Sequence, residues 1–218
     1  MTIRKFGSFG TSVSRPPMLN VLRSDLEIAQ HYVSGDIAAP CTLTNGSIAQ
    51  SLGISSEISI DDPLHDQQMT LVNIDLLQID YRTTTSTNLS SNSCTSTSSR
   101  VVVAGTLVIQ HRTRLSTCLI LSNSGILHAR DVLPRAHPND GFVDVLEVDP
   151  KISTRQRAIA WHRSATGSHL PHPDIRVSRS IDFQWSGSPA QMIADGVTYK
   201  GVVWLQCTVL ADAMSIYF

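Results

Sequence analysis

The sequence carries little charge and no excess of either sign. Its 218 residues include 17 Lys and Arg against 18 Asp and Glu, which gives a formal net charge of −1. A protein that holds a nucleic-acid backbone needs a basic field to neutralise phosphates, so this balance excludes general binding of DNA or RNA. The sequence also contains no polybasic run of the kind that binds anionic membranes.

Long hydrophobic runs are absent as well. The longest apolar stretches, such as Val101–Ala104 and Leu119–Leu121, are far shorter than the roughly 20 residues of a membrane-spanning helix. Residues Met1–Gly10 lack the apolar segment of a signal peptide. The 4 cysteines show no Cys-x-x-Cys spacing, which is typical of ordinary reduced thiols. These features predict a cytoplasmic protein that is not an integral membrane protein.

The first quarter of the chain has a mixed pattern. Residues Met1–Pro17 contain Gly, Ser and a Pro-Pro pair and are expected to be an irregular arm. A short strand is expected at Leu19–Leu22. A helix is expected to follow, with Ser24 and Asp25 as candidate capping residues and its end at Gly35. A second short helix is expected at Ser47–Leu52.

From about residue 67 onward, β-forming segments dominate. Thr83–Ser99 is almost pure Ser, Thr and Asn and is expected to be a mobile hairpin loop. A helix is expected at Ser153–Ser164, with Ser153 as its cap. The predicted strands are Met69–Tyr81, Arg100–His111, Leu115–Asn123, Phe142–Val148, Ile175–Ser180, Ile181–Trp185, Gln191–Ala194, Val202–Val209 and Met214–Phe218. This pattern predicts a mainly-β α+β fold, an antiparallel sandwich-like domain with one or two helices.

One stretch has distinctive local chemistry. Pro134 and Pro138 restrict the backbone, and Asn139-Asp140-Gly141 is a strong turn signal. Two interpretations stay open on local residues alone. The segment is a plain β-turn before a strand, which is the favoured interpretation, or it is a loop that binds a hard cation through carboxylate and carbonyl oxygens.

The order of motifs resembles a known family. Pro138-Asn139-Asp140-Gly141 is followed by an alternating strand, the helix Ser153–Ser164, Gly167-Ser168-His169 and finally Asp195-Gly196. This order is similar to the C-terminal domain of the bacterial diacylglycerol and lipid kinase family, which is related to sphingosine kinases. A weaker similarity to the family's nucleotide domain lies at Thr44–Ile54. The resemblance implies a reduced N-terminal α/β segment at 1–66 and a lipid-kinase-like β-domain at 67–218.

The resemblance also implies what should bind and react. A structural Mg²⁺ would be held by the Asp140 side chain and by the main-chain carbonyls of His137 and Phe142; no other cofactor is expected. The family's Gly-Gly-Asp-Gly-Thr phosphate loop does not occur in this sequence. Val197 stands where the family has the Glu of Asp-Gly-Glu, the expected general base on the lipid hydroxyl, and valine cannot accept a proton. No catalytic residue is therefore assigned.

Three functions follow as competing hypotheses. The first is a non-catalytic module that binds a lipid, another amphiphile or a protein partner. The second is a degenerate or split lipid kinase that needs a separate nucleotide-binding chain. The third is a structural or interaction protein, such as a homodimer joined through β-strands. Zinc binding by His169 and His172 is disfavoured, because the flanking prolines oppose a helix and no third ligand follows at a familiar spacing.

Overall fold

A computed structural model describes residues 10–54, 68–86, 94–111 and 118–218 of the chain. Strands dominate these residues. The strands are β1 (Thr11–Ser14), β2 (Asn20–Leu22), β3 (Cys41–Leu43), β4 (Gln68–Ser86), β5 (Cys94–Val103), β6 (Thr106–Gln110), β7 (Cys118–Ser122), β8 (Ile126–Leu127), β9 (Arg130–Asp131), β10 (Val143–Val148), β11 (Ile175–Ser180), β12 (Asp182–Ala194) and β13 (Val197–Tyr217). The helices are α1 (Asp25–Val33), α2 (Ser47–Leu52) and α3 (Thr154–Arg163), which a 3-10 turn follows. The predicted mainly-β α+β class is confirmed.

One sheet joins eleven of the described strands in the order β1-β4-β13-β12-β6-β7-β10-β11, with β5 paired to β4 and β3 paired to β13. These pairs are antiparallel except where β3 runs parallel to β13 and to β2. The parallel pairing places Cys41 opposite Ile216, so the N-terminal segment extends the same sheet as the C-terminal strand. The division of the chain at residue 66 stays a prediction.

Alternating side chains give the sheet two apolar faces. On β6, Leu107 and Ile109 belong to the core between the long strands, together with Leu121 of β7 and Met192 of β12. The intervening Ile120 of β7 points the other way, into a second cluster beneath α3. The same strands therefore support a central core and an outer apolar layer that α3 and neighbouring loops cover.

The predicted helices are confirmed, and their ends have the expected causes. Ser24 caps α1, where its hydroxyl accepts a hydrogen bond from the Glu27 amide at 3.2 Å. α2 ends at Gly53, which adopts the left-handed conformation with φ 75°. At α3, Ser153 and Gln156 form a reciprocal capping box. No helix among the described residues is long and apolar enough to cross a bilayer.

Two sequence-based expectations about irregular segments are wrong in part. Thr11–Ser14 of the expected arm is strand β1, paired with β4; residues 1–9 lie outside the described residues. Within the expected loop Thr83–Ser99, Thr83 pairs with Thr97 and the ladder continues to Ser86 and Cys94. The reason is that ladder hydrogen bonds belong to the backbone and threonine favours strands, so a polar tract can still pair. Residues 87–93 lie outside the described residues.

The last four strands predicted from the sequence form two long strands in the structure. β12 and β13 are each continuous where the sequence suggested a break. Register shifts mark the former breaks, between Ser186 and Ala190 in β12 and between Leu210 and Met214 in β13. Bulges of this kind let a strand bend without ending, which the local sequence does not distinguish from a turn.

Candidate functional site

The corner that connects β5 to β6 is held by a single carboxylate. Asp195 accepts hydrogen bonds from three consecutive backbone amides: Ala104 at 2.7 Å, Gly105 at 3.0 Å and Thr106 at 3.0 Å. Asp195 and Gly196 have φ values of 44° and 85° and form the tight turn between β12 and β13. The Asp-Gly pair singled out in the sequence thus makes a hairpin turn and anchors a second loop.

A second carboxylate reaches the same corner from the N-terminal segment. Asp25 accepts hydrogen bonds from the amides of Ser47 at 2.9 Å and Ile48 at 3.1 Å, at the start of α2. A Cβ atom added to Gly105 would lie 2.6 Å from Asp25 Oδ2 and would also collide with the Ser47 hydroxyl. The corner therefore requires glycine. Sequence reasoning identified Asp25 only as a helix-start residue, because its approach to residue 105 depends on the tertiary fold.

The two carboxylates influence each other. Burial, and to a lesser extent the nearby Asp25, raise the pKa of Asp195 to about 7 against the opposing effect of the three amide donors. Asp195 therefore binds its proton at a pH where an ordinary carboxyl has lost it.

A chain of hydroxyl groups runs beside the corner. Ser124 donates to Ser47 across 2.8 Å, and the hydroxyls of Thr106 and Ser122 are also 2.8 Å apart. Ser122 additionally accepts from the Gly125 amide at 2.8 Å. Because hydroxyls rotate to donate or accept, these groups can adapt to a polar ligand.

These hydroxyl groups lie next to a cavity of about 510 Å³ between α3 and the outer face of β6, β7 and β10. Thr106 and Gly196 line it next to the Asp195 corner, and His128 and Trp161 line it beside α3. Its apolar wall is formed by Val108, Ile120, Leu127, Val132, Leu146, Val148, Ile152, Ala160, Ile175 and Ile193. Such a wall favours an apolar ligand over water.

A buried histidine is one of the polar residues that line the cavity. The His169 ring lines the cavity, and its Nε2 atom lies 2.9 Å from the Val132 carbonyl. A carbonyl only accepts, so Nε2 carries the hydrogen and Nδ1 is left as an acceptor. Burial lowers the pKa of His169, which keeps the ring neutral. Nδ1 is buried and has no hydrogen-bond partner within the described ranges.

The position of the expected base holds a valine, which has no proton acceptor. Val197 is half-buried as the first residue of β13, paired with Ala194. Another carboxylate could act as a base only if the fold brought it to this corner. Glu147 is exposed on β10, and the Asp149 carboxylate accepts from the Lys151 amide at 2.8 Å, at the start of the α3 segment. Neither residue belongs to the Asp195 corner.

The Asn139-Asp140-Gly141 turn is organised by a residue that sequence reasoning missed. The buried carboxylate of Asp75, on β4, accepts from the amides of Asp140 at 3.0 Å and Gly141 at 2.7 Å through one oxygen. Its other oxygen accepts from the Asp212 amide at 2.8 Å. Asp75 thus joins the turn to the β13 bulge. Its position within an apolar strand was the available signal, because a carboxylate there must find partners.

Among the predicted metal ligands, the Asp140 side chain already has partners for both of its oxygens. One oxygen of Asp140 accepts from the Phe142 amide at 3.1 Å, and the other pairs with the Arg179 guanidinium, which also stacks on the Phe142 ring. The ring of His137 accepts from the Asn139 amide at 3.2 Å. Arg179 supplies the positive charge that a cation would bring to Asp140, so this carboxylate as arranged fits Mg²⁺ poorly. The assignment of His137, Asp140 and Phe142 as metal ligands stays a prediction.

Burial also affects Asp140. It raises the pKa of this carboxyl to about 6, against the opposing effects of Arg179 and the Phe142 amide. Within residues 10–54, 68–86, 94–111 and 118–218, no three His, Cys, Asp or Glu side chains are grouped as a metal site. The His169–His172 pair, considered for zinc, is also engaged in hydrogen bonds. The Nδ1 atom of His172 accepts one from the Asp174 amide at 3.1 Å.

Comparison with known proteins identifies the architecture. No protein-family model matches the sequence, and no curated protein matches it. The crystal structure of a diacylglycerol kinase from Bacillus anthracis str. Sterne has a similar fold, with a TM-score of 0.50 and 12% identity over 91% of this chain and 76% of that one. A putative diacylglycerol kinase from the same organism gives a TM-score of 0.47 and 10% identity, over 91% and 77% of the two chains. The chain therefore has a diacylglycerol kinase-like fold, and at this identity the likeness concerns the fold alone.

Proposed function

We propose that this protein is a non-catalytic lipid-kinase-like module that binds a lipid or another amphiphile in the cavity beneath α3. The observation that carries the proposal is the cavity itself. Its volume of about 510 Å³ falls within the usual range for small-molecule sites, and its wall is mostly aliphatic. Burying a hydrocarbon chain against such a wall is favourable by roughly 25 cal/mol for each Å² of apolar surface removed from water.

The polar groups beside the cavity support an amphiphile over a plain hydrocarbon. The hydroxyls of Thr106 and Ser122 lie at the end next to the Asp195 corner. The neutral His169 offers a buried acceptor at Nδ1. A ligand with hydroxyl groups near an acyl or alkyl chain would complement both features, whereas a hydrocarbon would leave the acceptor unpaired.

The absence of catalysis is supported by the chemistry of the corner. Val197 has no proton acceptor, and the sequence contains no Gly-Gly-Asp-Gly-Thr run. The alternative, a degenerate or split kinase that another chain completes, would need that chain to supply the phosphate loop.

A matched pair of variants on α3 tests ligand binding. Ala160 lines the cavity and Ala158 is exposed on the same helix. Ala160→Phe fills part of the cavity and is expected to weaken binding of a fluorescent fatty acid at least tenfold, whereas Ala158→Phe leaves it unchanged. Val108→Phe, from the β6 side, repeats the test if Ala160→Phe lowers the thermal midpoint. Equal binding by all four proteins would contradict the cavity as the site.

The non-catalytic part has its own measurement. Calorimetry with Mg-ATP on the wild-type chain is expected to show no binding heat. Micromolar affinity for Mg-ATP would favour the split-kinase alternative while leaving lipid binding in the cavity untouched. The two halves of the proposal can therefore fail separately.

A further inference from the structure

The cavity beneath α3 has a positive charge at one end. Arg157 is the one Lys or Arg among the described residues that line it, and none of those residues is Asp or Glu. Its guanidinium is half-buried and donates to the Asp149 carbonyl at 3.2 Å, in the connection between β10 and α3. A guanidinium carries five N–H donors in a planar fork, so it can hold a carbonyl and also pair with a carboxylate.

The charge of Arg157 acts at the end of the cavity that Gln110 and Cys118 form. These two residues lie opposite each other on β6 and β7, and both line the cavity. Burial raises the pKa of the Cys118 thiol, and the positive charge of Arg157 opposes that rise, so the two groups are close. Arg157 would therefore stabilise an anionic group at this end and repel a cationic one.

Away from this charge, the cavity follows the strands and is mostly apolar. From Gln110 it extends along β6 past Val108 to Thr106, over roughly 13 Å of strand. Ile120 of β7 and Leu146 of β10 line the part in between. A ligand with a charged head group at Arg157 and a hydrocarbon chain along β6 complements this arrangement.

The volume of the cavity suits one hydrocarbon chain. If a methylene group takes up about the 30 Å³ of a water molecule in the liquid, a cavity of about 510 Å³ holds a chain of roughly 16 carbons. A lipid with two such chains would leave one of them outside, where its apolar surface would gain nothing from the cavity wall.

We infer that the ligand of this cavity is a fatty acid, with its carboxylate on Arg157 and its chain along β6. The inference rests on the proposed function and deepens it by naming the ligand class. One guanidinium matches the single charge of a carboxylate, whereas a phosphomonoester carries nearly two charges. A sphingoid amine would bring its positive charge against Arg157. A hydroxyl group on the chain would add a donor for the buried Nδ1 acceptor of His169.

A series of single-chain ligands tests the head group on the full chain. Palmitate, hexadecanol, hexadecylamine and palmitoyl lysophosphatidate have matched hydrocarbon chains and differ in their head groups. Tryptophan fluorescence follows binding directly, because Trp161 lines the cavity. Palmitate is expected to bind at least tenfold more tightly than hexadecanol or hexadecylamine, and more tightly than the lysophosphatidate.

A matched pair of variants on α3 tests the role of Arg157. Arg157→Gln and Arg155→Gln change the net charge equally, but Arg155 is exposed and does not line the cavity. Arg157→Gln is expected to weaken palmitate binding about 10- to 100-fold, as expected for a lost charged hydrogen bond, and to leave hexadecanol binding unchanged. Arg155→Gln should bind both ligands like the wild type. Arg157→Lys keeps the charge without the fork and should recover part of the palmitate affinity, which preserves the test if Arg157→Gln lowers the thermal midpoint.

The outcomes separate the fatty-acid inference from the proposed function. Hexadecanol binding as tightly as palmitate, tighter binding of the lysophosphatidate, or unchanged palmitate affinity in Arg157→Gln would overturn the inference and leave a lipid in the cavity. Equal losses in Arg157→Gln and Arg155→Gln would overturn it as well. Absence of binding by all four ligands, or palmitate binding that Ala160→Phe leaves unchanged, would instead overturn the cavity as the site and the proposed function with it.

Discussion

Oδ1 of Asp195 accepts a hydrogen bond from the backbone amide of Gly105 at 3.0 Å, although 90 residues separate them in the chain. The same carboxylate also holds the amides of Ala104 and Thr106. A residue that belongs to a family motif thus has a structural task in this chain. That task is independent of whether the next positions retain a catalytic residue.

Removing this carboxylate should destabilise the fold. In Asp195→Ala, three partly buried amides lose their acceptor, which is expected to lower the free energy of unfolding by about 2–4 kcal/mol. The measurement is urea denaturation at pH 5, with the exposed Asp36→Ala as control. Equal stability of the two variants would contradict the anchoring role.

Stability should fall as pH rises toward neutrality. The folded-state pKa of Asp195, about 7, lies above the ordinary value of 3.8. Its contribution to stability is therefore complete below about pH 4 and is lost as pH rises through 7. The raised pKa of Asp140, about 6, acts in the same direction.

The urea midpoint of the wild type should accordingly decrease between pH 4 and pH 8. Asp195→Asn should show a smaller decrease, because the amide does not titrate, and Asp36→Asn should match the wild type. Asp25→Asn should lower the pKa of Asp195, followed by NMR titration of its side-chain carbon. A midpoint that rises over this range would show that the amide donors outweigh burial.

Asp75 should contribute more to the free energy of unfolding than the side chains of the Asn139-Asp140-Gly141 turn that it contacts. It is 1% exposed, and its carboxylate accepts from the amides of Asp140, Gly141 and Asp212. Asp75→Ala would leave these donors without an acceptor and is expected to cost at least about 3 kcal/mol. Asn139→Ala, in the same turn but without a side-chain contact to Asp75, should cost much less. Chemical denaturation of both variants at pH 7 gives the comparison.

A divalent cation should contribute little to the turn. The Arg179 guanidinium already pairs with Asp140, so neither added Mg²⁺ nor a chelator is expected to shift the thermal midpoint of the wild type. Scanning calorimetry of the wild type, with added Mg²⁺ and separately with a chelator, measures the thermal midpoint. A rise of several degrees with Mg²⁺ would instead support His137, Asp140 and Phe142 as ligands.

Restoring the missing carboxylate should not create a kinase. A general base contributes roughly 10²- to 10⁴-fold, and only when the reacting groups are already aligned. Val197→Glu would add a carboxylate close to the Asp195 corner, but the sequence provides no phosphate loop to position ATP. Transfer of radiolabelled phosphate from ATP to diacylglycerol should stay at background for the wild type and for Val197→Glu. Activity confined to the variant would reveal a hidden nucleotide site.

The sequence alone determined the fold class, the three helices and the Asn139-Asp140-Gly141 turn. These features depend on local chemistry: caps at Ser24 and Ser153, glycine at residue 53, and the tolerance of Asp-Gly for positive φ. Local signals of this kind act within a few residues, so they can be recognised without knowledge of the rest of the chain.

Only the tertiary structure decided what these elements do together. Asp25 approaches the residue-105 corner, Asp75 organises a turn 65 residues away, and Arg130 stacks on Trp161. The cavity exists because α3 covers the outer face of three strands that also serve the central core. Each relationship depends on strand register and on long-range burial. A carboxylate or a cation shows its own charge in the sequence, but only folding selects its partners.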